Sequence, residues 1–131
     1  MSKTVTCLYQ DQQKASEIVS RLEQAGLSRG DISFYSTPSD NLIDDLENDG
    51  VPRTDAHAYA EGVRRGGTLV TARVPDADRA RYEAILDRSA VNIRDRSAAW
   101  ERSGWNRFDP SAPAYTPDEV RRERETYRTR M

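Results

Sequence analysis

Side chains able to do chemistry are few in this chain, and the one histidine, the one cysteine and a pair of adjacent arginines are where any site would start. His57 and Glu61 stand four residues apart and share a face on a helix, with Asp55 two residues upstream. That grouping offers two or three metal donors. A zinc or iron site needs at least three converging ligands, often with a second histidine. His57 is the only histidine, so a helix-surface pair is the expected state and no metal is assigned. The same scarcity leaves no histidine-based triad with a serine or cysteine at recognisable spacing, and no catalytic residue is assigned. Cys7 is the only cysteine. It cannot form an intramolecular disulfide, has no cation beside it to depress its pKa, and reads as a small core residue of a strand.

Arg64-Arg65-Gly66-Gly67 combines two guanidinium groups with backbone that a ligand can approach closely. Phosphate-binding loops place their glycines before a helix, where N–H groups face the anion. Here the glycines follow a helical segment, so ending it is their expected role and anion binding the lesser one. Asp45-Leu-Glu-Asn-Asp-Gly50 resembles the start of a calcium loop, with glycine sixth. Its twelfth position, however, is Ala56 in place of an acidic ligand, and Pro52 stands where an apolar β residue belongs. A solvated acidic helix end is the better reading.

The elements that would position these residues repeat a scheme. Thr4 to Tyr9 alternates, with Val5, Cys7 and Tyr9 facing one way and Thr4, Thr6 and Leu8 the other. Ala15, Ile18, Val19, Leu22 and Ala25 form the apolar stripe of a helix closed by Gly26. Asp31 to Ser36 is a second strand. Thr68 to Val74 starts the second half, and Pro75-Asp76 opens a helix through Arg88 with Ala77, Ala80, Ala84 and Ile85 available to pack. Val91 and Ile93 mark a last short strand. Two βαβ halves joined end to end predict a ferredoxin-like α+β fold, four strands with helices on one face.

Residues 37–66 between the halves read as a helical insert. Ser39 or Asp40 caps a first helix with Leu42, Ile43 and Leu46, and Thr54 caps a second that ends on Arg64 and Arg65. After Arg96, Ser97 to Arg102 forms a short helix carrying Trp100, followed by Gly104-Trp105. Residues 106–131 form a linker and a polar helix started by Thr116-Pro117-Asp118-Glu119. That helix has only Val120 and Tyr127 as apolar anchors and is marginal alone.

Composition bounds the function classes. The 131 residues are 36% hydrophobic and 32% charged, with net charge −2 and no apolar run near the roughly 20 residues of a membrane span. The amino terminus lacks a secretory leader, so a cytoplasmic location is expected. Residues 1–50 carry a balance of −5 and residues 51–131 one of +3, without the clustered basic face or high pI of a nucleic-acid binder. The sheet face bearing Thr4, Thr6, Leu8, Ser33, Tyr35, Leu69, Thr71 and Arg73 offers one tyrosine and one arginine, a poor stacking platform for RNA. It is better suited to packing against a second copy or against the Trp100–Trp105 segment, two tryptophans that must cover something.

The strings Val5-Thr-Cys-Leu-Tyr9, Ala25-Gly26, Tyr59-Ala-Glu-Gly-Val-Arg-Arg-Gly-Gly-Thr-Leu-Val70 and Trp100-Glu-Arg-Ser-Gly-Trp105 resemble the general stress protein 17M-like (YflT-type) family over about residues 3–105. The resemblance implies a small cytoplasmic bacterial protein linked to general stress, with no catalytic residues to carry over. The leading expectation is a non-enzymatic protein, without cofactor, nucleic acid or membrane, that works as a homodimer or on a protein partner through Leu8, Tyr35, Leu69, Trp100 and Trp105. The alternative is a small-ligand or anion sensor, its pocket lying between the sheet and the insert around Tyr59, Glu61, Arg64 and Arg65. Residues 1–105 form the domain and residues 106–131 its extension.

Overall fold

In a computed structural model of the chain, residues 2–37, 41–88, 90–109 and 111–128 are described, with side chains through residue 125. The order among them is β1 (Ser2–Tyr9), α1 (Gln12–Gln24), β2 (Ile32–Tyr35), α2 (Leu42–Asn48), α3 (Arg53–Arg64), β3 (Thr68–Pro75), α4 (Arg79–Asp87), α5 (Ile93–Arg102) and α6 (Pro117–Arg128). The strands lie in the order β1-β3-β2, with both outer strands antiparallel to β3. Register runs from Ser2 opposite Pro75 to Tyr9 opposite Thr68, and from Ile32 opposite Ala72 to Tyr35 opposite Leu69.

This corrects the ferredoxin-like expectation: the sheet has three strands, and helices cover both of its faces. The residues expected to form a fourth strand contribute one bridge, with the Val91 N–H donating to the Leu8 carbonyl at 2.8 Å. The reason is the next residue. Asn92 caps α5, its side-chain oxygen accepting from the N–H groups of Arg94 and Asp95 at 3.1 Å each. The chain turns helical at Ile93 before a ladder can extend. Because α5 starts there, it is longer than the Ser97–Arg102 segment read from sequence.

The strand alternation holds, and helices pack on both sides, while Ser33, Phe34 and Arg73 stay exposed. Cys7, Tyr9, Val70, Ala72 and Val74 pack against Ala15, Ile18, Val19 and Leu22 of α1 and Tyr82 and Leu86 of α4. On the other face Leu8 and Leu69 join Leu42, Leu46, Ala56, Ala60, Val63, Trp100 and Phe108. Fully burying each of these leucines is worth about 2 kcal/mol, which is what brings the insert and α5 down onto a face expected to be open. The apolar stripe of α4 also differs from the alanine-rich one expected. Tyr82 and Leu86 are buried and Ile85 packs against the same core as expected, whereas Ala77, Ala80 and Ala84 are exposed. The larger residues win the interior because they remove more apolar surface, and the Tyr82 hydroxyl donates to the Ala25 carbonyl at 3.3 Å.

The insert forms the two helices expected, with differences at their starts. Ser39 and Asp40 lie outside the described residues. The residue preceding α3 is Pro52, not Thr54, and its side chain makes no capping bond. Asp45 to Asn48 is helical and not a cation-binding loop. Among the described residues no group of three or more His, Cys, Asp or Glu could hold a metal ion, and no helix is long and apolar enough to cross a membrane. Between α3 and β3 the backbone passes so close to its neighbours that a Cβ on Gly67 would lie 2.9 Å from the Gly62 carbonyl oxygen and 3.0 Å from that of Tyr9. A side chain there would push β3 away from α3, so the glycine pair sets where the end of α3 stands against the sheet.

Candidate functional site

The end of α3 is where charged chemistry and burial coincide. Glu61, Arg64 and Arg65 are spaced i, i+3 and i+4, and one helical face therefore brings all three together. Glu61 is only 1% exposed. Its Oε1 accepts from Arg64 Nε at 3.0 Å, and its Oε2 accepts from Arg64 Nη2 at 2.7 Å and Arg65 Nε at 2.6 Å. A carboxylate this deep is tolerable only because both its oxygens are taken up by guanidinium donors. The bonds to Glu61 also push the Arg64 pKa above its ordinary value, against the opposing effect of burial.

Arg65 spends one side of its guanidinium on Glu61 and the other on a residue 58 positions away in the chain. Its Nη1 donates to Glu123 of α6, at 3.2 Å to Oε2. The same carboxylate accepts from the Trp100 indole Nε1 at 2.6 Å. The Arg65 guanidinium carbon lies 4.6 Å from the Trp100 ring centroid and 5.4 Å from that of Tyr115, and Arg64 lies 5.0 Å from Tyr115. Two cations are thus paired with two carboxylates and stacked on aromatic faces.

The segment that supplies Glu123 is held at several further points. The Tyr115 N–H donates to the Arg64 carbonyl at 2.8 Å, Arg64 Nη1 donates to the Pro113 carbonyl at 3.0 Å, and Arg124 Nη2 donates to the Gln10 carbonyl at 3.4 Å. Val120 packs on Gly66, whose φ of +103° closes α3. The start of α6 is as read from sequence. Thr116 and Glu119 cap it reciprocally, the Glu119 N–H donating to Thr116 Oγ1 at 3.3 Å and the Thr116 N–H to Glu119 Oε1 at 3.1 Å.

Of the four expected ligand residues, Glu61, Arg64 and Arg65 converge and Tyr59 does not. The Tyr59 hydroxyl donates to the Thr6 carbonyl at 3.3 Å, and burial pushes its pKa up to about 12. Among the described residues, the space expected to hold a pocket between insert and sheet is small. What remains there is a cavity of about 20 Å³ beneath α6, bordered by Gly62, Arg65, Trp100 and Glu123, with room for about one water-sized molecule. The residues expected at a partner interface are internal as well. Leu8, Leu69 and Trp100 are buried, and Tyr35 and Trp105 are half-buried against the same core. Trp105 meets Trp100 edge-on, with centroids 5.7 Å apart, so the tryptophans act as an intramolecular lid.

His57 serves as a structural clip: its Nδ1 accepts from the Phe108 N–H at 3.3 Å. Burial and then the nearby Arg53 and Arg107 hold its pKa below the ordinary value. It borders a cleft of about 240 Å³ shared with Arg53, Glu101, Trp105 and Arg107, and the Trp105 Nε1 is buried without an acceptor among the described residues. Cys7 is core, as read from sequence, its thiol pushed up to about 12 by burial and then by Asp87.

Sequence reasoning missed Glu123, Tyr115 and the Trp100 N–H as members of the site. The signal available was faint: Val120 and Glu123 are three apart and share a face of α6, but nothing in their spacing names Arg65 as the partner. Comparison with protein-family models, characterised proteins and solved structures yields no match, so the likeness to the general stress protein 17M-like family rests on the short strings that carry it.

Proposed function

We propose that this chain is a non-enzymatic binding module in which the end of α3 and Trp100 receive a short helical segment through its carboxylate. Residues 113–124 are the occupant held in cis. One observation carries the reading: Arg65, anchored from behind by buried Glu61, grips Glu123 while Trp100 both stacks on Arg65 and donates to the same carboxylate. Such an arrangement is preorganised for an incoming carboxylate, because Glu61 and the ring fix the guanidinium before the ligand arrives. Both oxygens of Glu61 accept from guanidinium donors, which suits it to holding the two arginines. The resemblance to general stress proteins supports a cytoplasmic, stress-associated role for the module, acting on a protein segment.

A small-ligand sensor is the second reading. The cleft beside His57, with its unpartnered Trp105 N–H, favours it over the filled site at Arg65.

The test is binding in trans. A labelled peptide of residues 109–131 is titrated into a full chain carrying Glu123→Arg, which keeps the receptor but disables its own occupant. Saturable binding is expected, at least tenfold weaker when Arg65→Gln is added. If the peptide binds neither chain, the module reading is wrong.

A further inference from the structure

We propose that the C-terminal segment is exchanged between two copies of this chain, so that Glu123 of each fills the Arg65–Trp100 site of the other. The inference rests on the binding-module reading and names the partner.

Three observations carry it. First, the segment is held by side chains and carbonyls at the receptor, not by continuity with the residues just before it. Tyr115, Val120, Glu123 and Arg124 meet Arg64, Arg65, Gly66, Trp100 and Gln10. A second copy supplies an identical set, so the contacts are the same in cis and in trans.

Second, the described residues of the bend that returns the segment to its own core, Asp109, Ser111 and Ala112, are exposed or half-buried and bonded to one another. Among the described residues, Phe108 is the last deeply buried one before α6. Beyond it Asp109 Oδ1 accepts from the Ser111 N–H at 2.9 Å and the Ser111 hydroxyl at 2.6 Å, and the Ala112 N–H donates to the Asp109 carbonyl at 3.1 Å. Opening this turn breaks those local bonds, to groups that water can then satisfy. It lets the five Cα-to-Cα steps from Phe108 to Pro113 extend across about 17 Å, enough to cross to a core packed alongside and too short to roam.

Third, α6 is charged nearly all round and marginal by itself. Its ordered state is a docked state, whether on its own core or another. Reciprocal exchange fills two sites at once in a closed two-fold arrangement. The competing cis state has an effective concentration in the millimolar range, so the exchanged form gains with chain concentration.

The experiment is light-scattering mass across a hundredfold range of concentration. Wild type is expected to rise from monomer toward dimer, while Glu123→Arg and Arg65→Gln each remain monomeric. An equimolar mixture of the two variants regains dimer, because one keeps an intact segment and the other an intact site. Circular dichroism and the unfolding midpoint check that each variant folds. Wild type that stays monomeric at the highest concentration overturns the exchange. If the 109–131 peptide still binds the Glu123→Arg chain in that case, the module reading stands without it; if the peptide also fails, both fall together.

Discussion

At the scale of single residues, the two carboxylates of the arginine cluster do different work and should be separable. Glu61 is buried and holds two guanidinium groups that are 16% and 13% exposed, whereas Glu123 is itself 16% exposed and shares Arg65 with Glu61. Glu61→Gln leaves two partly buried cations short of a counter-charge and should lower the unfolding free energy by about 3 kcal/mol. Glu123→Gln keeps an oxygen for the Trp100 N–H and leaves Arg65 paired, and should cost about 1 kcal/mol. Urea unfolding with an unchanged slope measures both. Equal losses would mean that the hierarchy inside the cluster is wrong. The inner half of this site was legible: positions 61, 64 and 65 announce a shared face by their spacing. The outer half was not, because Glu123 and Trp100 reach Arg65 through tertiary contacts that no local period encodes.

At the scale of elements, Gly66 is the hinge between the readable and the unreadable. Its place after a helix marks it as a terminator, and the structure agrees, with φ +103°. The sequence does not say that Val120 of α6 would sit 2.6 Å from any Cβ added there. Gly104 shares the backbone strain, at φ +106°, but has open space around it. Gly104→Ala should therefore cost only the left-handed conformation, about 1–2 kcal/mol. Gly66→Ala should cost that and also lift α6, so trypsin should cut after Arg121 or Arg124 several-fold faster in Gly66→Ala than in Gly104→Ala. Equal cleavage would show that α6 does not rest on Gly66. The remaining elements divide the same way. The α1 stripe and the Thr116–Glu119 cap were legible because they are local. The loss of the fourth strand to α5 turned on Asn92, a capping residue whose weight against a two-residue β signal shows only when its bonds are seen.

At the scale of the whole molecule, helices pack on both faces of the three-stranded sheet, and Leu8, Leu69 and Trp100 of the expected interaction surface have become core, while Ser33 and Arg73 stay exposed. The alternation of β1 correctly separated the two faces. It could not say that the second face would be covered from within, since that depends on where α3 and α5 lie in space. Leu8, Leu69 and Trp100 are enclosed, and the proposed association therefore rests on the arginine cluster and the segment docked on it. The docking of α6 is therefore the central claim, and backbone amide hydrogen exchange over residues 118–125 tests it most directly. An isolated helix of this length and composition exchanges close to the rate of a free peptide. Docked through Arg65, these amides should exchange at least tenfold more slowly in wild type, and Arg65→Ala should return them to the free rate. Free-peptide exchange in wild type, unchanged by Arg65→Ala, would contradict it.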